Sequence, residues 1–474
     1  MAFLPAAVLT APARASQGRA MARELRFPDG FLFGAATAAH QVEGGCLSNQ
    51  WSAWEHEGDH IRDGSTADLA CDHYRRFRED FALARDLGHD AHRFSIEWSR
   101  LEPEEGAFDE READHYRAVL DAIREHGMEP LPTLHHFTNP LWVQRQGGWE
   151  NPRVVDWLAG FAGRAARAFG DRVRIWWTIN EPMVAPALCY LMGIHPPAVR
   201  DLTRALPVAR HVLLAHGAMY RAIKEAAPHA PAVGPVLQMP YIAPLDPSSD
   251  VDRAAAAQQD FLFNEYYLQG LVRGVVSPPI GGGEEIPGLA GSYDVVGLNY
   301  YARMLVSGTG AQDLVHPAGG AGSGDGGEGE MPLMGARRRD EPPEFHDQMG
   351  WEVYPPGLHA QLVRLKALGK PLYVTENGMA TRDERARCRH LLAHLAQVHR
   401  AIEDGADVRG FLYWTLMDNF EWAEGYTKTF GLVEVDRARD LARRPREAAY
   451  LFRDVARAKA IGRDVFDRYG VAVA

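Results

Sequence analysis

Strand-like and helix-like segments alternate along the chain, and this alternation limits the possible folds more than any other feature. Short apolar runs bounded by turn residues predict buried strands, and the segments between them have the spacing of amphipathic helices. Such a pattern is typical of a parallel sheet, because a crossover helix must bring each strand back beside its predecessor. The eight predicted strands are FLFGAAT from Phe31, AHRFSIEW from Ala91, EPLPTLHHF from Glu129, RIWWTIN from Arg174, APAVGPVL from Ala230, YDVVGLNYY from Tyr293, KPLYVTEN from Lys370 and VRGFLYWTL from Val408.

The intervening segments have a single apolar stripe, as expected for helices that cover a sheet. In two of them, apolar residues recur every three or four positions. These are Tyr74, Phe77, Phe81, Ala84 and Leu87 in the first, and Val154, Leu158, Phe161, Ala165 and Phe169 in the second. Eight such units without a break in composition predict one α/β domain, a (β/α)8 TIM barrel with extended βα-loops, over residues 23–474.

Two segments do not fit this pattern. Residues 1–22 are expected to be a disordered extension, because Pro5 and the lack of a basic start argue against a signal peptide, and translation could begin at Met21. Residues 317–343 are rich in glycine and too polar to pack, which predicts a flexible loop after the sixth strand. No apolar run approaches the roughly 18 residues of a membrane span, which predicts a soluble protein without a membrane partner. The widely spaced cysteines predict reduced thiols and hence a cytoplasmic location.

Charge and cysteine content restrict the partners. A formal net charge of −12 argues against nucleic acid, because nucleic-acid binding requires a basic surface. A small neutral or cationic substrate is more compatible. The four cysteines Cys46, Cys71, Cys189 and Cys388 are far apart, which predicts neither a zinc site nor a disulfide framework. We expect no metal and no other cofactor, and the sequence does not specify the oligomeric state.

Two glutamates follow apolar strands at the positions where a barrel forms its active site. Glu181 ends the fourth strand in TINEP, and Glu376 ends the seventh in YVTENG. Active sites of such barrels lie where the strands end, so these side chains are expected to face each other across the mouth. A facing carboxyl pair can hydrolyse a glycosidic bond, with one group protonated and the other ionised. Alternatively, both glutamates are loop residues in salt bridges.

Other strand ends carry side chains that suit a sugar. Sugars present apolar faces and a rim of hydroxyl groups, which aromatic rings, amides and carboxylates can bind. Taken singly, each candidate could be an ordinary core residue. Arg93 could be a structural ion-pair partner, but a cation beside Glu376 would keep that carboxylate ionised. The sugar-binding candidates are Gln41, His136, Asn180, Asn299, Tyr301, Trp414, Glu421 and Trp422.

Together, seven motifs resemble glycoside hydrolase family 1, the retaining β-glucosidases and their relatives. They are FPDGFLFGAATAAHQVEGG, HRFSIEWSR, TINEP, VGLNYY, MGWEVYPPGL, YVTENG and DNFEWAEGYTKTFGLVEVD, and they span about Phe27 to Ala449. The resemblance implies that Glu181 is the acid/base and Glu376 the nucleophile. It also implies that Arg93, Tyr301 and Asn299 support the nucleophile. The residues that would hold the sugar are Gln41, His136, Asn180, Trp414, Glu421 and Trp422.

The resemblance predicts a β-glucosidase that removes terminal β-D-glucosyl residues through a covalent glycosyl-enzyme, with galactosyl or fucosyl residues as further candidates. Such retention requires carboxyl groups roughly 5 to 5.5 Å apart. The substrate would be a β-glycoside or an oligosaccharide. Phe137 replaces the tryptophan that many relatives carry, which leaves the aglycone preference open.

Three alternatives remain. A transglycosylase would use the same residues. A 6-phospho-β-glycosidase is disfavoured, because the carboxylate of Glu421 would repel a phosphate. A catalytically silent sugar-binding barrel would be indicated by the loss of Glu181 or Glu376, and both are present.

Overall fold

Eight parallel strands close into a barrel in the computed structural model, which describes residues 24–308, 314–315, 337–338 and 346–472. Each strand pairs with its neighbours in chain order, and the last returns to pair with the first. All eight strands predicted from the sequence are present. They are β1 Leu32–Ala36, β2 Ala91–Ser95, β3 Glu129–His135, β4 Ile175–Asn180, β5 Ala232–Gln238, β6 Val296–Asn299, β7 Leu372–Asn377 and β8 Val408–Trp414.

One main helix follows each strand and packs outside the barrel. The predicted apolar stripes face inward: Phe81 and Ala84 of the first helix and Phe161 of the third have no exposed surface. The barrel helices are α1 His73–Asp86, α2 Glu110–Glu125, α3 Val154–Phe169, α4 Leu202–Ala226, α5 Tyr266–Arg273, α6 Pro355–Lys366, α7 Glu384–Glu403 and α8 Glu447–Ala458. The expected (β/α)8 barrel is therefore confirmed.

Shorter elements occupy the loops. The α-helices are Ala39–Val42, Gln50–His56, Trp98–Leu101, Leu141–Arg145, Asp250–Asp260 and Arg463–Tyr469. Single turns of other helix types are Gly148–Glu150, Ala185–Leu191, Phe261–Glu265 and Trp422–Glu424. The paired short strands are Glu24–Arg26 with Ala460–Gly462, Tyr241–Pro244 with Arg303–Val306, Val275–Val276 with Glu284–Glu285, Leu314–Val315 with Arg337–Arg338, and Val433–Asp436 with Ala442–Pro445.

The core has two layers, because both faces of every barrel strand are covered. In β4, Trp177 belongs to the cluster inside the barrel and Trp176 to the cluster between the strands and helices. Neither indole has exposed surface. This arrangement explains the continuous apolar run in RIWWTIN, and it places a rigid strand directly before Glu181.

Strand pairing is irregular at the carboxyl end of the barrel. The register shifts between Trp177 and Asn180, between Leu298 and Asn299, and between Val374 and Asn377. Such irregularities redirect side chains and are common beside active sites.

The predicted extension over residues 1–22 lies outside the described residues. So does the predicted loop over residues 317–343, apart from the short strand Arg337–Arg338. Among the described residues, no helix has the length and apolar character needed to cross a membrane.

Candidate active site

Glu181 is the first residue after β4, and its backbone has an unusual conformation. Its φ angle is +48°, in the left-handed region that glutamate seldom adopts. Its backbone N–H donates to the carbonyl of Val236 on β5 at 2.8 Å, and its carbonyl accepts from the N–H of Val184 at 2.9 Å. These bonds hold the residue in a strained turn, a feature that is often associated with functional sites. The residue is 8% exposed.

Glu376 is the penultimate residue of β7 and is 3% exposed. Its two carboxyl oxygens have different partners. Arg93 Nη1 forms an ion pair with Oε1, and the hydroxyl of Tyr301 donates to Oε2 at 2.6 Å. Arg93 has no exposed surface and is itself oriented by Thr133, whose Oγ1 accepts from Arg93 Nε at 3.0 Å. The carboxylate of Glu376 is therefore fixed by the buried guanidinium of Arg93 and the hydroxyl of Tyr301.

Two asparagines connect the glutamates. Asn299 Nδ2 donates to Glu181 Oε1 at 2.9 Å and to Asn180 Oδ1 at 3.1 Å. Asn180 Oδ1 also accepts from Arg93 Nη2 at 2.7 Å. The Oγ1 of Thr375 donates to Asn299 Oδ1 at 2.8 Å, which fixes the orientation of that amide. The structure thus places Glu181 and Glu376 in one buried network.

Burial and charge give the two carboxyl groups different proton affinities. Burial and then the charge of Glu376 raise the pKa of Glu181, the Asn299 hydrogen bond lowers it, and the net pKa is about 8. Burial also raises the pKa of Glu376, against the opposing effects of Arg93 and Tyr301. Arg93 is the cation that was expected beside Glu376, but burial raises the pKa of Glu376 more than Arg93 lowers it. Because Glu376 contacts a cation directly, it is the group of the pair that ionises first.

Gln41 and Glu421 form a second polar group at the mouth. Gln41 Nε2 donates to the carbonyl of Phe420 at 2.9 Å and to Glu421 Oε2 at 3.4 Å. Its Oε1 is buried and accepts no hydrogen bond from the described residues. Burial, together with the charge of Glu376, raises the pKa of Glu421 to about 8. A buried amide oxygen without a donor suits a hydroxyl group of a ligand.

Aromatic rings complete the site. The ring of His136 is nearly parallel to those of Trp414 and Trp422, at centroid distances of 5.9 Å and 6.1 Å. His136 Nε2 lies 3.2 Å from Nδ2 of Asn180, which links these rings to the polar network. The structure thus brings together every site residue predicted from the sequence.

A layer of residues that supports the site was not predicted from the sequence. His40 is buried, and its ring is parallel to Trp422 with a centroid distance of 5.8 Å. Its Nε2 lies 3.4 Å from Oε1 of the buried Glu55. Thr133 and Thr375 lie within predicted strands close to a strand end, so their position was a usable signal. His40 had no such signal, because its contact with Trp422 arises from the fold.

One possible metal-ligand group occurs among the described residues: Glu55, His56 and Asp68, whose ligand atoms lie within 4.8 Å of one another. His56 Nδ1 lies 2.6 Å from the carbonyl of Ser52, and its Nε2 lies 3.2 Å from Asp68 Oδ2. A hydrogen bond and an ion pair thus account for this histidine without a metal.

Comparisons with known proteins agree with this geometry. The family model described as Glycosyl hydrolase family 1 matches residues 23–461. The chain is 33% identical over 438 residues to Beta-glucosidase A of Thermotoga maritima, covering 87% of this chain and 93% of that protein. It is 35% identical over 452 residues to a bifunctional beta-D-glucosidase/beta-D-fucosidase of Bifidobacterium breve, covering 86% and 94%. A solved beta-glycosidase from Pyrococcus horikoshii superposes with a TM-score of 0.82 at 36% identity, covering 95% of this chain and 99% of that one.

Proposed function

The chain belongs to glycosyl hydrolase family 1, and we propose that this β-glucosidase-type hydrolase acts with retention of configuration, using Glu376 as nucleophile and Glu181 as acid/base. The observation that carries this assignment is the asymmetry of the pair. Glu376 contacts Arg93 and Tyr301, whereas Glu181 accepts an amide hydrogen bond from Asn299. A carboxylate beside a cation is suited to attack, and a buried carboxyl group with a raised pKa is suited to donate a proton.

In the first step, a carboxylate oxygen of Glu376 forms a bond to the anomeric carbon. The bond between that carbon and the aglycone oxygen breaks, and the proton of Glu181 moves to that oxygen. The released aglycone is a neutral alcohol or phenol. Glu376 is now an ester, and Glu181 is ionised.

In the second step, Glu181 removes a proton from water, and the water oxygen attacks the anomeric carbon as the ester bond to Glu376 breaks. Esterification removes the charge of Glu376 that raised the pKa of Glu181. The same neutralisation therefore converts Glu181 from an acid into a base. If an alcohol replaces water in this step, the product is a new glycoside, so transglycosylation requires no additional residue.

We propose terminal β-D-glucosyl residues as the main substrate. Gln41 and Glu421 can bind adjacent sugar hydroxyls through the free amide oxygen and the carboxyl group. The Bifidobacterium breve relative is named for both glucosidase and fucosidase activity, so fucosyl residues are a further candidate. The free state of all four cysteines supports a cytoplasmic location.

Azide trapping tests the two roles. We expect Glu376→Gly with azide to convert a p-nitrophenyl β-D-glucoside into the α-glucosyl azide, because azide replaces the missing nucleophile. Glu181→Ala with azide should instead give the β-azide, because azide intercepts the ester on Glu376. Opposite anomers, assigned by proton NMR, would support both roles. The same anomer from both variants, or full activity in both without azide, would contradict the assignment.

A further inference from the structure

Asp347 joins two loops at the mouth of the barrel. It lies in the loop between β6 and α6, where Oδ1 accepts backbone N–H groups of Met349 at 2.8 Å and Trp351 at 3.0 Å. Its Oδ2 accepts the backbone N–H of Ala380 at 3.3 Å. Ala380 lies in the loop that follows Glu376. One carboxylate thus connects the loop after β6 to the loop after the nucleophile strand.

Trp351, one of the three residues that donate to Asp347, packs against the ring of Tyr301, and the other two lie in the same apolar cluster or against it. Ala380 and Tyr301 belong to a small apolar cluster, against which Met349 and Trp351 also pack. The ring centroids of Trp351 and Tyr301 are 5.1 Å apart. The hydroxyl of Tyr301 is the group that donates to Glu376 at 2.6 Å. The position of this hydroxyl therefore depends on residues whose backbone Asp347 holds.

We propose that Asp347 is a positioning residue: by holding the loop after β6 against the loop after β7, it keeps the Tyr301 hydroxyl on Glu376 and favours the ionised nucleophile. This inference rests on the proposed role of Glu376. Asp347 touches neither substrate nor the carboxyl pair in this account, and it acts through Tyr301.

Asparagine at this position separates the two links. An amide oxygen can still accept from Met349 and Trp351, but the amide nitrogen is a donor and would face the N–H of Ala380. Asp347→Asn should therefore retain the turn within its own loop and lose the hydrogen bond from Ala380, which weakens the link between the two loops. Gln348 also reaches Ala380, since its backbone N–H donates to that carbonyl at 2.8 Å, so the segment should stay folded.

The pH profile of kcat/KM is the readout. Activity requires ionised Glu376, so it rises as pH increases through the pKa of this group. The charged and titratable groups that face it are Arg93, Tyr301, Glu181 and Glu421. The Tyr301 hydrogen bond lowers that pKa, and its loss should raise it. We expect Asp347→Asn to move the acid limb upward by about one pH unit.

The matched control is Asp252→Asn. Asp252 is a buried carboxylate that also joins two loops, accepting from Gly308 at 2.8 Å and Asp246 at 3.0 Å. We expect this variant to lower thermal stability without moving the acid limb. Should Asp347→Asn prove too unstable to assay, Asp347→Ser, whose hydroxyl can reach only one of the two loops, takes its place.

If the acid limb were set by the titration of Asp347 instead of Glu376, the shift in Asp347→Asn would have the opposite sign. Burial raises its pKa to about 7, although the backbone N–H groups and Lys428 favour the ionised form. If the wild-type acid limb reported this group, Asp347→Asn would abolish the limb or move it downward. That outcome would overturn the inference.

A double-mutant cycle with Tyr301→Phe completes the test. We expect Tyr301→Phe alone to raise the acid limb, and Asp347→Asn to cause no further shift in that background. Additive shifts, or an unchanged limb in Asp347→Asn alone, would overturn only the inference about Asp347. An unchanged limb in Tyr301→Phe would show that this hydroxyl does not tune Glu376 and would also overturn the inference, whereas the azide products test the role of Glu376 separately.

Discussion

The two glutamates of the site are chemically identical but lie in different surroundings. Glu376 sits within a barrel strand and contacts a buried guanidinium and a phenol. Glu181 lies just beyond its strand, at a φ angle of +48°, and accepts a hydrogen bond from the neutral amide of Asn299. The comparison shows that neighbours, and not the residue type, decide which carboxyl group attacks and which one holds the proton.

The backbone positions suit the same division of roles. A nucleophile must reach one carbon atom with one oxygen, and a rigid strand holds Glu376 for that purpose. An acid/base must protonate the aglycone oxygen and later activate water on the same side of the sugar. A residue at the start of a loop, such as Glu181, can serve both positions.

Replacing Glu376 tests the comparison with the largest expected effect. We expect Glu376→Gln to lower kcat on p-nitrophenyl β-D-glucoside on the order of 10⁵-fold or more, as for loss of the nucleophile in another hydrolase. Glu129→Gln is the control, because Glu129 begins β3 at the opposite end of the barrel. Activity close to wild type in Glu376→Gln, measured by release of nitrophenol, would contradict its role.

Replacing Glu181 should give a loss that depends on the leaving group. We expect Glu181→Gln to lower kcat/KM for an alkyl β-glucoside by about 10²- to 10⁴-fold, because an alkoxide needs a proton to leave. For 2,4-dinitrophenyl β-D-glucoside the loss should be much smaller, since that phenolate leaves without a proton. Equal losses on both substrates, measured under single-turnover conditions, would argue against proton donation by Glu181.

Removing the cation should make the two environments more alike. We expect Arg93→Met to lower kcat/KM by about 10²- to 10³-fold, because the ionised nucleophile loses its charge partner. The acid limb should also move to higher pH, since Arg93 lowers the pKa of Glu376. Arg93→Lys, which retains the charge, should show a smaller shift. Equal shifts in both variants would indicate that charge is not the cause.

The smallest expected effect follows removal of the Asn299 side-chain amide, which donates to Glu181. Activity requires protonated Glu181 and therefore falls as pH rises through its pKa of about 8. Asn299 lowers this pKa by donating to the carboxylate, so its removal should raise it further. We expect Asn299→Ala to move the basic limb of kcat/KM upward by roughly half to one pH unit. A downward shift would show that Asn299 stabilises the protonated form instead.

Much of the fold could be predicted from local sequence. The barrel strands are four to seven residues long and most are rich in apolar residues, because both of their faces are buried, so the signal is strong. The rule that barrel sites lie at strand ends then selects Glu181 and Glu376 among many glutamates. These predictions need only the order of residues along the chain.

Other features depend on contacts between distant segments. Tyr301 and Trp351 meet through packing, and the ring of His40 becomes parallel to Trp422 only after β1 and β8 pair. The balance between burial and Arg93 at Glu376 was also beyond the sequence, because desolvation depends on how completely the fold encloses the group. Asp347 illustrates the same limit, since its role requires two loops from different parts of the chain.

The most direct test of the comparison is a carbon-13 NMR titration of the glutamate carboxyl groups. Glu181→Gln and Glu376→Gln, compared with the wild type, assign the two signals. We predict that Glu181 titrates near pH 8 in the wild type and at lower pH in Glu376→Gln, because the charge of Glu376 raises its pKa. A Glu181 signal that titrates in the ordinary range of glutamate, or that does not move when Glu376 is neutralised, would contradict this account.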